Sequence, residues 1–198
     1  MKFYDATEPQ VKTLIAKHKL LLIFPVRPQP VKFAGYIWYP NLEHGNGYAP
    51  EDFSDGFLAD YFCPLGAVGE RLNVREMWKV MRNDYTMHRE VFYKADTKDG
   101  KHITWEGRKY GINKWCYPAT MQLKDVRLTP TITSIEVKPV GKIMEAEISM
   151  YLGYETIITE AFAEHWNARY TKPGEQWPDA QAFFVTCEVD EYWMNDGL

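Results

Sequence analysis

The stretch LLLIF at residues 20–24 decides how this sequence folds, because it is the longest apolar run between charged or proline residues. An uninterrupted apolar run of this length, bounded by Lys19 and Pro25, is typical of a short strand buried on both faces. Just before it, Thr7 and Gln10 form a capping-box pattern, and apolar residues then recur at helical spacing. We therefore predict a helix over residues 8–18 that runs into a buried strand.

The remaining pattern mixes strands with a few helices. Strands are predicted over residues 31–39, 71–78, 90–94, 127–140 and 182–193. A short helix is predicted over 145–152, and another after Thr159, where Phe162, Trp166 and Tyr170 are spaced four apart. The aromatic-rich chain around Trp105 and Trp115 reads as irregular. These elements indicate a small α+β domain or a partly closed barrel.

Residues 40–62 differ from the rest of the chain, since they are rich in Asn, Gly, Asp and Glu and too polar for a core. We interpret them as a loop insertion in one domain that spans residues 1–198. The length of 198 residues suits a single domain with a sizeable core.

The charge balance limits the class of function. Lys and Arg number 23 against 27 Asp and Glu, which leaves a net charge of −4. This mild acidity argues against a protein that coats nucleic acid through bulk positive charge, although a local basic pocket remains compatible with it. A content of 45% hydrophobic and 25% charged residues excludes a disordered chain, a collagen and a membrane bundle.

The cysteines and the N-terminal residues indicate a reducing compartment. Cys63, Cys116 and Cys187 are odd in number and far apart, so free thiols are expected rather than disulfides or a zinc site. Residues 1–5 hold no apolar signal core, and no run is long enough to span a bilayer. We predict a cytoplasmic protein, with no metal and no cofactor. Motifs for dinucleotide, phosphate-loop, zinc-protease and serine-hydrolase sites are absent.

Five short motifs, taken in their order along the chain, suggest a family. They are VRPQP at residues 26–30, CPLGAVGE at 63–70, VREMW at 74–78, YKAD at 93–96 and AFAEHWN at 161–167. In this order the chain resembles the ASCH-domain proteins that are widespread in bacteriophages and prophages. The resemblance implies a small PUA-like β-barrel with flanking helices. It also implies a phage origin, and for a viral protein the compartment would be the host cytoplasm.

The resemblance further implies binding of RNA or modified bases in a cleft beside the barrel. Some small members are amidohydrolases that deacylate N4-acetylcytidine, and Lys19 falls where their lysine falls. Leu20 and Leu22 replace their threonines, and their late glutamate has no clear match. Amide hydrolysis needs a nucleophile, a proton-transfer partner and oxyanion stabilisation, and leucine supplies none of them. We therefore expect a binding protein in which Lys19 is only a doubtful catalytic residue.

The candidate ligand-binding residues come from two neighbouring predicted strands. A carboxylate beside an indole, as in Glu76 and Trp78, suits base recognition, because the acid accepts from an exocyclic amine while the ring stacks. The full predicted set is Arg27, Arg75, Glu76, Trp78, Tyr93 and Lys94. In the alternative interpretation, Glu76 pairs with an arginine inside the fold and Trp78 is part of the core.

The sequence leaves three functions open. The first is non-catalytic binding of RNA, DNA, a nucleotide or a modified base. The second is hydrolysis of an acylated cytidine. The third is binding to a host defence or assembly protein through the acidic segment 51–60, which would imitate nucleic-acid charge.

Overall fold

The chain has a mixed α+β fold, as predicted. The structure is a computed structural model that describes residues 2–27, 29, 31–33, 36–38, 63–153 and 159–189. Over these ranges the helices are α1 (Glu8–Lys17), α2 (Glu145–Leu152) and α3 (Thr159–Arg169). The strands are β1 (Lys2–Asp5), β2 (Lys19–Pro25), β3 (Val31–Phe33), β4 (Tyr36–Trp38), β5 (Leu72–Arg75), β6 (Trp78–Arg82), β7 (Arg89–Tyr93), β8 (His102–Trp105), β9 (Arg108–Gly111), β10 (Thr131–Pro139) and β11 (Gln181–Glu188).

A three-stranded antiparallel sheet with the order β10-β11-β2 separates two hydrophobic cores. Leu20 and Leu22 of β2 enter the first core, whereas Leu21 and Ile23 enter the second. All four side chains are at most 3% exposed. The prediction of a strand buried on both faces is therefore confirmed. It also explains why residues 20–24 show no alternation, since neither face meets water.

The helices that cover this sheet are those predicted. Thr7 caps α1, and Gln10 completes the capping box by accepting from the Thr7 backbone N–H at 3.0 Å. Val11 and Leu14 of α1 pack in the first core. In the second core, α2 and α3 contribute the fully buried side chains Ile148, Phe162 and Trp166.

Five strands surround the first core in the order β1-β5-β10-β11-β2. The strand β5 pairs in parallel with β1, and antiparallel bridges join Arg71 to Thr131 and Val74 to Leu128 on its other edge. Leu72, Val74, Ile132 and Val185 all point into this core. Within the described residues no pairing joins β1 to β2, so the strands are not closed into a barrel there.

Three predicted elements differ from the structure. The strand predicted over 71–78 is two strands, because the chain changes partners at Glu76: Val74 bridges Leu128, whereas Trp78 bridges Cys116. The strand predicted over 31–39 is instead the pair β3 and β4. The chain around Trp105, predicted to be irregular, is the hairpin β8–β9, whose turn has positive φ angles at Glu106 and Gly107, as tight hairpins require.

The predictions of an insertion and of free thiols have different outcomes. The insertion at residues 40–62 lies outside the described residues. Cys63, Cys116 and Cys187 are free thiols, and Cys63 and Cys187 are buried. None of the helices that the structure describes is both long and apolar enough to cross a lipid bilayer.

The burial of the central sheet on both faces predicts that truncating one of its side chains lowers the free energy of unfolding. Leu22→Ala would remove a fully buried side chain, and we expect a loss of about 2–5 kcal/mol in unfolding free energy from lost burial and the cavity left behind. Val68→Ala is the control, since Val68 is 56% exposed and its truncation should cost less than about 0.5 kcal/mol. Urea denaturation of both variants measures the difference, and equal losses would contradict the described core.

Candidate functional site: a cleft between two hairpins

A cleft of about 840 Å³ lies between two strands that follow each other in the chain but do not pair. The strand β7 pairs with β6, and β8 pairs with β9. Neither β7 nor β8 has a second strand partner among the described residues. Residues 90–93 and 102–104 form the two walls, and residues 96–99 of the connecting loop form one end. The volume suits a small-molecule ligand.

Arg127 lies at the base of the cleft and is tied to the carboxylate of Glu76. Its Nε donates to Glu76 Oε1 at 2.9 Å, and its Nη2 donates to Oε2 at 3.1 Å. The Glu76 side chain is 2% exposed. A bidentate arginine is the partner that best compensates a carboxylate removed from water. This pair therefore fixes the guanidinium from the protein side.

The outer side of Arg127 meets two further groups. Its Nη1 and Nη2 donate to Asp96 at 2.7 and 2.8 Å, and its guanidinium carbon lies 4.0 Å from the centre of the Tyr93 ring. The Tyr93 hydroxyl in turn donates to the Asp125 carbonyl at 2.8 Å. Tyr93, Asp96 and Arg127 all line the cleft.

Burial and pairing act in opposite directions on the pKa of Glu76. Desolvation raises this pKa above its usual value, and the hydrogen bonds from Arg127 only partly offset the rise. The pKa of Arg127 is also raised: burial opposes its charge, but Glu76 and Asp96 outweigh burial. Burial thus decides the direction of the pKa shift of Glu76, and pairing decides that of Arg127.

The wall formed by β8 and β9 presents a histidine held by an aspartate. Asp99 Oδ2 lies 2.6 Å from His102 Nδ1, and Asp99 Oδ1 accepts from the backbone N–H groups of Lys101 and His102. The His102 contact, followed by the Lys101 N–H, holds the pKa of Asp99 well below its usual range. Because Nδ1 is engaged, Nε2 is the ring nitrogen of His102 that is left to meet a ligand.

Two lysines give the cleft uncommitted positive charge. Of the charged side chains that line it, Arg127 pairs with Asp96, and His102 pairs with Asp99. Lys98, Lys109 and Glu90 form no ion pair with any residue that the structure describes. The cleft therefore offers two ammonium groups and one carboxylate to a ligand. Within the described ranges, no three His, Cys, Asp or Glu side chains are grouped as metal ligands would be.

Three of the predicted site residues lie at or next to this cleft. Tyr93 lines it, and Glu76 lies below it in contact with Arg127. Trp78 is opposite Tyr93 in the β6–β7 register but is 9% exposed, with Nε1 donating to Thr120 Oγ1 at 3.2 Å. The structure therefore has the alternative arrangement, in which Glu76 pairs with an internal arginine and Trp78 packs in the interior.

The other predicted residues lie elsewhere, each in an ion pair. The pairs are Arg27 with Glu175 at 2.6 Å, Arg75 with Asp5 at 2.7 Å, Lys94 with Glu8 at 3.0 Å and Lys19 with Glu188 at 3.0 Å. None of these four cations lines the cleft. Their charges are directed to neighbouring carboxylates.

Sequence reasoning missed the residues that give the cleft its charge. Arg127 is 51 residues from Glu76 in the chain, and no local pattern connects them. Lys98 and Lys109 had no signal beyond their charge. The Asp99–His102 pair did have one, because an aspartate that caps the backbone two and three residues ahead is a recognisable turn pattern.

Comparison with protein-family models, with curated proteins and with solved structures found no match. The resemblance to ASCH-domain proteins therefore rests on the five motifs quoted above.

The raised pKa of Glu76 predicts a particular dependence of stability on pH. A carboxyl whose pKa is higher in the folded state binds its proton more readily there, so its contribution to stability is present at acid pH and is lost as pH rises through the folded pKa. We expect the unfolding free energy of the wild type to fall relative to that of Glu76→Gln as the pH rises above about 4.5, the ordinary pKa of a glutamate. Denaturant titrations across this range measure the difference, and the opposite trend would show that the Arg127 contact outweighs burial.

Proposed function

We propose that the protein binds a nucleotide, a modified base or a short single strand of nucleic acid in the cleft between β7 and the β8–β9 hairpin, without catalysis. The observation that carries this proposal is the combination of groups in one cleft: the Tyr93 ring with Arg127 against it, and Lys98 and Lys109 without ion-pair partners in the described chain. Bases stack on aromatic rings and on guanidinium planes, and phosphates bind ammonium groups.

The strand edges give a further reason to expect a ligand that contains a base, and not a simple anion. Backbone N–H and C=O groups on an unpaired edge can donate to and accept from the edge of a base, as they would from another strand. Residues 90–93 of β7, a strand with no second partner among the described residues, line the cleft consecutively. Phe92, beside Tyr93, is half-buried and adds aromatic surface to the same wall.

The proposal extends to the fold and to the family. The five strands around the first core are consistent with the wall of a PUA-like barrel, and we propose that the chain is an ASCH-type protein of phage origin. In that arrangement the cleft would lie beside the barrel, attached to it through Glu76, which follows β5, and Arg127, which precedes β10. Ligand binding beside the barrel is what the resemblance implies.

The lysines make the proposal testable. We expect the double variant Lys98→Ala/Lys109→Ala to bind nucleoside monophosphates about tenfold more weakly than the wild type, because two charge contacts to phosphate are lost. Affinity for the corresponding nucleosides should change little. Calorimetric titration with AMP, GMP, CMP and UMP and their nucleosides measures both.

The control for this experiment is Lys114→Ala/Lys124→Ala, which removes the same charge from two exposed lysines outside the cleft. The control should bind as the wild type does. An equal loss in both double variants would show a nonspecific charge effect, and no loss in either would place the ligand elsewhere.

A second candidate function, deacylation of N4-acetylcytidine, is favoured by one contact. Lys19 Nζ lies 3.0 Å from Glu188 Oε1 in an open recess of about 420 Å³ that Lys17 and His18 also line. A lysine beside a carboxylate is the pair that proton transfer would use. Among the described hydrogen bonds none joins Lys19 to a hydroxyl, and Leu20 and Leu22 are fully buried. No hydroxyl nucleophile is therefore held by Lys19 among the described residues.

This candidate has a direct assay. We expect purified protein to release no acetate from N4-acetylcytidine above the buffer rate, and Lys19→Ala to behave as the wild type does. Lys17→Ala is the matched control for the recess. Acetate release that is abolished by Lys19→Ala and retained by Lys17→Ala would establish the hydrolase instead.

The third function concerns the acidic segment 51–60, which lies outside the described residues. A host protein bound through that segment remains a proposal from its charge alone.

A further inference from the structure

The two carboxylates on Arg127 differ in how firmly they are held. Glu76 is 2% exposed and sits between β5 and β6, so the fold encloses it. Asp96 is 42% exposed and binds Arg127 from the cleft side. Separating an ion pair costs less when its carboxylate is partly exposed, since water can then solvate that charge, whereas separating the buried pair would leave a carboxylate without solvent. Ligands can therefore compete for Arg127 only at the side that Asp96 now occupies.

Asp96 can leave Arg127 at little structural cost. It ends a short helical turn, Lys94–Asp96, whose hydrogen bonds are made by Thr97: the Thr97 N–H and hydroxyl both donate to the Lys94 carbonyl, at 3.1 and 2.7 Å. The described hydrogen bonds of the Asp96 side chain go to Arg127 alone. A side-chain rotation would free two guanidinium N–H groups without breaking a backbone hydrogen bond.

Arg127 would keep its place when Asp96 leaves. Glu76 holds its Nε and Nη2, and the Tyr93 ring lies against its plane at 4.0 Å. A phosphate presents two oxygens in the same bidentate arrangement as a carboxylate. Lys98, two residues beyond Asp96, lines the same cleft and could contact that phosphate.

We propose that Asp96 is an internal competitor for the anion site on Arg127, and that a phosphate group of the ligand displaces it. This inference rests on the proposed function, and it names Arg127 as the phosphate contact. It predicts a gain of affinity on removing a carboxylate, which a merely structural ion pair would not give.

The test compares Asp96→Asn with the wild type in calorimetric titrations with AMP and, separately, with inorganic phosphate. We expect Asp96→Asn to bind both about fivefold more tightly, because the competing charge is gone. Asp84→Asn is the matched control: it makes the same change in net charge at a 90% exposed position outside the cleft, and it should bind as the wild type does. Asp96→Ala serves in place of Asp96→Asn if the latter unfolds.

The outcomes separate the two proposals. If AMP binds but Asp96→Asn leaves its affinity unchanged or weakened, the competitor role is wrong and the proposed function stands. If neither protein binds AMP, GMP, CMP or UMP, the nucleotide-binding form of the proposed function is wrong, and inorganic phosphate alone decides the inference. Tighter phosphate binding by Asp96→Asn than by the wild type and Asp84→Asn then supports it, and equal or undetectable binding overturns it.

Discussion

The bidentate contact between Arg127 and Glu76 connects the strands around the first core with the cleft. Glu76 stands where the chain leaves the strands around the first core and enters the β6–β7 hairpin, and Arg127 stands where the chain returns to β10. One ion pair with a buried carboxylate thus joins the residue after β5 to a residue shortly before β10. Without this pair the charge of the buried Glu76 carboxylate would have no partner, so the fold holds Arg127 in place. The position of Arg127 in the cleft is therefore set by the packing around Glu76.

The features most readily predicted from the sequence are those that depend on residues close together in the chain. The helix α1 and its cap at Thr7 depend on neighbours within a few residues, and the boundaries expected there agree with the structure. The strand β2 was predictable because a run buried on both faces leaves a pattern of its own. The β8–β9 hairpin was missed although Glu106 and Gly107 form a recognisable turn, since the surrounding aromatic residues obscured the alternation.

The site was less predictable for a physical reason. Glu76 and Tyr93 belong to the predicted set because a carboxylate and an aromatic ring suit a base. The Arg127 guanidinium, which contacts both of them, is distant in the chain and was not predicted. Three of the predicted cations, Arg27, Arg75 and Lys94, lie outside the cleft, and each pairs with a nearby carboxylate. Whether a charge is free depends on the fold around it, and residue type alone does not report this.

The separation of β7 from β8 has a consequence for the behaviour of the protein in concentrated solution. Unpaired strand edges are templates for pairing with another chain, and a long apolar edge promotes aggregation. Here the two edges are short, and Glu90, His102 and Lys109 surround them with charged or polar groups. The side chains that line the cleft would thus also discourage a neighbouring molecule from adding its own strand, and would help to keep the protein dispersed.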